Sequence, residues 1–167
     1  MSAKIKQFIP EEYCLQCKGC CRFAQEDSVW LPCLLDEEKL ELIDKEGIPP
    51  VSITADSRVH PVPNPKSEGF ICPLLNIEDN KCKIYLSRPF ECQLYPFLLN
   101  LRDKKVILTI DLNCPYAREK ANSKEFKEYT EYLTTFLNEP AQIKILKANP
   151  QILQAYEEVS DIVELNF

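Results

Sequence analysis

Four of the nine cysteines in this 167-residue chain fall in one short run, Cys14-Leu-Gln-Cys17-Lys-Gly-Cys20-Cys21. Cysteines at i, i+3 and i+6 in a loop can wrap a single metal centre. Each two-residue spacer lets the backbone curl until the sulfurs converge and amide N–H groups point at them. Gly19 is expected to help the chain turn tightly there. Four more cysteines stand alone along the chain: Cys72, Cys82, Cys92 and Cys114. Cys72 and Cys114 are each followed by proline. Eight sulfurs suffice for two four-sulfur sites, or for one centre with thiols left over.

Thiolate is a soft ligand that suits both zinc and iron–sulfur clusters. Structural zinc often uses two short Cys-x-x-Cys knuckles, and only one end of this pattern offers that spacing. The triplet instead has the spacing of the bacterial ferredoxin run, which supplies three local cluster ligands and takes others from a distance. An iron–sulfur cluster is therefore expected, with zinc as the alternative. Lys18, Arg22, Lys81, Lys83 and Arg88 lie close in sequence to the cysteines and could offset thiolate charge. Phe23, Trp30, Tyr85, Phe90, Tyr95 and Phe97 could exclude water.

Other chemistries find little support. Cys33, within Leu31-Pro-Cys-Leu-Leu35, is expected to be a buried apolar thiol. His60 is the single histidine, which leaves no His-Glu-x-x-His site, and it is expected at the surface. No Ser–His–Asp grouping can be placed, and three glycines make no phosphate loop. Cys17 and Cys21 give the first spacer of a radical-SAM triplet, but Ala24 occupies the position its second spacer requires.

The formal net charge is −6, and it is spread evenly. Residues 1–115 carry 14 Lys/Arg against 17 Asp/Glu, and residues 116–167 carry 6 against 9. Without a basic stripe, neither nucleic acid nor an anionic membrane is an expected partner. The first ten residues hold no apolar run of signal-peptide length, and no stretch approaches 18 apolar residues. A reducing, cytoplasmic location is therefore expected, where disulfides are rare. The odd cysteine count and the adjacent pair Cys20-Cys21 also argue against a disulfide framework.

Several elements must position these sulfurs. The first 35 residues read as a cysteine-rich loop. A short helix follows, capped by Asp36 and ended by Gly47. Five prolines and Gly69 make 49–69 an extended loop. Residues 74–85 read as a hairpin turning at Asp79-Asn80, with Ile77 opposite Cys82 and Leu75 opposite Ile84. A short helix is expected over 88–95. A second hairpin over 97–110 turns at Asp103-Lys104, placing Phe97, Leu99, Leu101, Val106, Leu108 and Ile110 on one face. Beyond it the chain reads as helical. Asn122-Ser-Lys-Glu125 resembles a capping box, a helix covers 141–148, and Asn149-Pro150 starts a last one with Ile152, Tyr156, Val159 and Val163 as its stripe. The fold class is α+β: a small antiparallel sheet of two hairpins with a cysteine-rich site and a C-terminal helical layer. Residues 1–115 are expected to form the metal-binding domain and 116–167 to pack on it as helices.

The pattern Cys14-x2-Cys17-x-Gly19-Cys20-Cys21, Cys72-Pro73-x-Leu75 and Cys82-x-Ile84-Tyr85-x2-Arg88-Pro89-x2-Cys92-x2-Tyr95-Pro96 resembles the YkgJ-family cysteine-cluster proteins. That resemblance covers roughly residues 10–115. It implies a zinc- or iron-chelating domain with eight metal-linked cysteines: Cys14, Cys17, Cys20, Cys21, Cys72, Cys82, Cys92 and Cys114. The function expected is metal-cluster binding, most simply iron–sulfur, with a redox, electron-transfer or iron-handling role and a protein or redox partner. One alternative is a zinc-stabilised interaction module. Another is an enzyme of the Fe–S oxidoreductase type or like the flagellin lysine-N-methylases, which carry a similar signature; this chain is short for a separate methyl-transfer domain as well.

Overall fold

The computed structural model describes residues 4–167 and has the α+β character expected, with short helices and small antiparallel sheets. The chain divides into two compact units. One comprises Lys4, Ile5 and Pro10–Gln93; the other comprises Lys6–Ile9 and Leu94–Phe167.

The first unit is built from short pieces. Helix α1 (Glu11–Gln16) starts after Pro10 and carries Glu11 and Glu12 in its first turn, where the helix dipole favours acids. This helix lies where the sequence reads as loop, because a single turn of it shows no apolar periodicity. Strand β1 (Arg22–Phe23) follows, then helix α2 (Asp36–Asp44). The cap of α2 is Leu35 rather than Asp36. The Glu38 carboxylate reaches back to accept from the Leu35 N–H at 2.9 Å, and Gly47 ends the segment with φ +66. The proline-rich stretch holds one turn of 3₁₀ helix (Pro50–Ser52) and strand β2 (Val62–Pro63). Strand β3 (Phe70–Ile71) lies between β1 and β2.

Gly69 makes that small sheet possible. Its φ is +89, and a Cβ there would stand 2.7 Å from the Phe23 carbonyl oxygen. Only glycine fits such an approach.

Strands β4 (Leu75–Asn76) and β5 (Lys81–Cys82) form the next hairpin. Leu75 faces Cys82 and Asn76 faces Lys81. The expected pairing is thus displaced by two residues, and four residues rather than two make the turn. The turn is held by the side chains of Asn76 and Asp79, which accept from the Glu78 and Lys81 N–H groups. A two-residue displacement preserves the faces, so Cys82 stays on the side of Leu75. Helix α3 (Phe90–Leu94) follows, and its residues up to Gln93 are the last of this unit. Leu34, Leu42, Val59, Ile71, Cys72, Leu74, Leu75 and Ile84 form its buried core.

A pair of carboxylates fastens α3 to the segment around α2. Glu38 is 6% exposed; its second oxygen accepts from the Phe90 N–H at 2.6 Å. Glu91 returns the contact, accepting from the Cys33 N–H at 2.5 Å. Burial pushes the Glu38 carboxyl up to about 7 from 4.5, opposed by those two backbone donors and reinforced by Glu37 and Glu91. A carboxyl raised in the folded state binds its proton more tightly there than in the unfolded chain. It therefore stabilises at low pH, and that contribution is lost as pH rises through about 4.5 to 7. Thermal melts should show stability declining across that window, and Glu38→Gln should flatten the decline. An unaltered slope in the variant would refute the assignment.

The second unit centres on a three-stranded sheet in the order β6-β7-β8. Strands β6 (Phe97–Arg102) and β7 (Lys105–Ile110) pair in the register expected, from Phe97 opposite Ile110 to Arg102 opposite Lys105. Asp103 and Lys104 both have positive φ, 50° and 64°, as a two-residue hairpin turn of primed type requires. Helices α4 (Pro115–Lys120), α5 (Lys124–Leu137) and α6 (Pro140–Ala148) follow. The N-cap of α5 is Ser123, whose Oγ accepts from the Phe126 N–H at 3.0 Å; the capping residue is one position later than expected.

The last expected helix is not formed. A 3₁₀ turn (Pro150–Ile152) is followed by strand β8 (Ser160–Glu164), which pairs with β7 across a bulge between Leu108 and Thr109. Glu158 takes a left-handed φ of 57, which breaks any helix over this segment. The adjacent β-branched Ile162 and Val163 suit a strand, and β8 covers the open edge of β7.

Candidate metal centre

The sulfurs are placed by backbone ladders more than by side-chain packing. The β1–β3 pairing sets Arg22 opposite Ile71. One step further along, the Cys72 N–H donates to the Cys21 carbonyl at 3.0 Å. Cys21 itself has a left-handed φ of 62. The tight turn assigned to Gly19 is therefore made at Cys21, since a Cβ on Gly19 would meet Cys17 Sγ at an ordinary 3.6 Å. Cys82 enters from β5. Cys21 and Cys82 both pack against the core cluster that contains Cys72.

Cys92 completes a set of four. Its thiol is raised well above its ordinary value, first by burial and then by Cys21, Cys72, Glu91 and Cys82. Burial also pushes Cys21 up to about 12, with Cys72 and Cys82 adding to the effect and Arg22 and Arg88 opposing it. Cys72 is pushed up to about 11, again by burial first and with Cys82 contributing. Cys21, Cys72 and Cys82 thus all lie within electrostatic reach of Cys92.

The backbone amides of Leu74 and Leu75 lie beside Cys72 and favour its thiolate, and the Leu75 N–H donates to the Cys72 carbonyl at 3.0 Å. The Ile84 amide likewise favours the thiolate of Cys82. Neighbouring amides thus favour the thiolate form of both cysteines, as the surroundings of a metal-bound thiolate do. Arg88 supplies positive charge to Cys21 and Cys82. Its guanidinium lies 3.8 Å over the Tyr85 ring, and its Nε donates to the Tyr85 carbonyl at 3.1 Å.

The N-terminal segment lies further out. Cys14 is half-buried on α1, and its charge acts on Tyr85. Cys17 is half-buried and Cys20 is exposed. Both Cys14 and Cys17 are tethered through their carbonyls by Asn80 in the β4–β5 turn. Cys114, 6% exposed, is the N-cap of α4 and belongs to the other unit. All nine cysteines carry thiols. Among the described residues, no three Cys, His, Asp or Glu side chains stand together as a group that could hold a metal ion. Cys33 is buried with its Sγ 3.7 Å from the Asp56 carbonyl. His60, itself half-buried, is close to the exposed Glu26, with Nε2 3.5 Å from Oε1.

The donor chemistry fits a soft metal. Cys21, Cys72 and Cys82 lie within electrostatic reach of Cys92 in one unit, and Arg22 and Arg88 favour the Cys21 thiolate. Sequence reasoning missed the contribution of Asn80, which reads as an ordinary turn residue; its partners lie more than 60 positions away and leave no local signal.

A thiol-rich α+β module with this donor set is of the metal-chelating class. The chain belongs to the CxxCxxCC family, described as a "putative zinc- or iron-chelating domain", whose pattern matches residues 13–132. No curated protein and no solved structure matches the chain significantly. No described helix is long and apolar enough to cross a membrane.

Proposed function

We propose that this protein binds an iron–sulfur centre through its cysteines and uses it in electron transfer, redox sensing or iron handling. The observation that carries the reading is the 3.0 Å backbone hydrogen bond that joins Cys72 to Cys21 in one unit, with Cys21, Cys72 and Cys82 all within electrostatic reach of Cys92. Cys14, Cys17 and Cys20 are the further ligands the spacing supports, and Cys114 is one that the family resemblance implies. A bound cluster would supply one-electron chemistry. The chain's own part is to gather thiolates, offset their charge with Arg22 and Arg88, and keep water from Cys72 by burying it in the core. The net charge of −6 supports a protein or redox partner rather than a nucleic acid. Thiol ligation of this kind suits a reducing cytoplasm.

Anaerobic purification should give a brown protein containing iron and acid-labile sulfide. A colourless protein holding stoichiometric zinc and no sulfide would overturn the cluster. It would establish the zinc-stabilised module instead, in which metal binding supplies folding energy.

A further inference from the structure

We propose that Asn80 is a positioning residue that binds the Cys14–Cys17 segment to the hairpin bearing Cys82, so that sulfurs from both are loaded together. This rests on the metal-centre reading above. Asn80 is the last turn residue before β5 and has φ 57. Its Nδ2 donates to the carbonyls of Cys14 at 3.3 Å, Leu15 at 2.9 Å and Cys17 at 3.0 Å. These are carbonyls at the C-terminal end of α1, where a helix leaves acceptors without intrahelical donors. One side chain thereby joins two ligand-bearing segments more than 60 residues apart in sequence.

The residue type follows from two demands. The turn needs a residue that tolerates the left-handed region, and the three carbonyls need a donor with two N–H groups. Asparagine meets both. Aspartate would present oxygen to three oxygens, and glycine would keep the turn while removing the donor. The orientation of the amide is settled by its surroundings. Oδ1 is buried with no hydrogen-bond partner among the described residues, which costs the desolvation of that oxygen. Rotating the amide would place that oxygen against the three carbonyls instead. The arrangement accepts one unpaired oxygen to secure three contacts to the cysteine segment. Lys81 adds an exposed ion pair along the same seam, with its Nζ 3.5 Å from Glu11.

The test uses the full chain, metal-free, titrated with cobalt(II). Cobalt occupies thiolate sites, and its sulfur charge-transfer absorption grows with the number of sulfurs bound. Asn80→Gly keeps the turn and deletes the donor; Asn80→Asp keeps the side-chain shape without it. Both should lose the absorption due to Cys14 and Cys17. In both, alkylation of Cys14 and Cys17 should quicken by about tenfold, the equivalent of one or two net hydrogen bonds. Cys72 and Cys82 should react at wild-type rates. Wild-type absorption and alkylation in Asn80→Gly would overturn the proposal. So would uniform acceleration that includes Cys33, which would mark general loosening. A wild-type chain that shows no cobalt–thiolate absorption would sink the metal reading itself, an outcome distinct from an inert Asn80.

Discussion

Replacing Cys72 by serine should strip the metal from the protein and leave its first unit markedly less stable, whereas Cys33→Ser should leave metal content unchanged. The two residues are similarly buried, at 7% and 1% exposure, so packing alone predicts similar costs. Their surroundings differ. Cys72 pairs with Cys21 through the backbone, is within electrostatic reach of Cys82 and Cys92, and has the Leu74 and Leu75 amides favouring its thiolate. Cys33 has the Asp56 carbonyl beside its sulfur and carboxylates around it, and burial with Glu91 pushes its thiol up to about 11. A carbonyl and two carboxylates favour a neutral donor, which a serine hydroxyl can also be. In small metal modules the apparent binding energy of a structural zinc is about 10–16 kcal/mol and is folding energy. Loss of one thiolate from such a site should therefore dominate any packing change. The check is metal per chain by elemental analysis, together with the thermal midpoint, in the two variants. Equal metal loss from both would mean that the four-thiol assignment is wrong.

Phe97→Ala should cost the second unit about 3–5 kcal/mol, the range for deleting a fully buried aromatic ring. That is a large share of the 5–15 kcal/mol by which domains are commonly stable. Phe97 is 0% exposed. Its ring stacks on Phe126 at 5.9 Å and lies 5.2 Å from Tyr129, and Phe8 meets it edge-on at 5.6 Å. These contacts join the first strand of the sheet to α5 and to the segment Lys6–Ile9. Tyr129 strengthens that segment by donating its hydroxyl to the Lys6 carbonyl at 2.7 Å. Amide exchange in β6 and β7 should accelerate together in the variant. Protection unchanged in both strands would show that the aromatic cluster is not the centre of this unit.

The parts of the fold legible in the sequence are those governed by neighbours along the chain. The 97–110 hairpin is an example: alternating apolar residues flank two turn positions, and every pairing follows from that local pattern. Helix α5 is legible for the same reason, through its capping residues and apolar spacing. The displaced β4–β5 register shows the limit. Asp79-Asn80 satisfies a two-residue turn as well as the end of a longer one, and alternation alone cannot separate registers that differ by two residues. Strand β8 was hidden because Ile152, Tyr156, Val159 and Val163 also fall at helical spacing. Only the open edge of β7, a tertiary fact, selects the strand.

The candidate site divides likewise. Its residue types and spacing name the chemistry without reference to any fold. How the sulfurs are placed is another matter, because Cys21 and Cys72 are joined by a ladder between distant segments while Cys82 comes from a hairpin and Cys92 from a helix. The Glu38–Phe90 and Glu91–Cys33 contacts are equally long-range. Acidic residues on short helices ordinarily signal a solvated face, and nothing nearby in sequence marks these as backbone acceptors.

Gly69 carries an implication for how such a chain can vary over time. It owns no side chain and lies three positions from the nearest sulfur, yet the seam that sets Cys21 beside Cys72 closes only because nothing projects toward the Phe23 carbonyl. Drift at this position is therefore blocked by the backbone opposite it. A scan for intolerant sites would flag residue 69 alongside the ligands themselves, although it could never donate an electron pair to a metal.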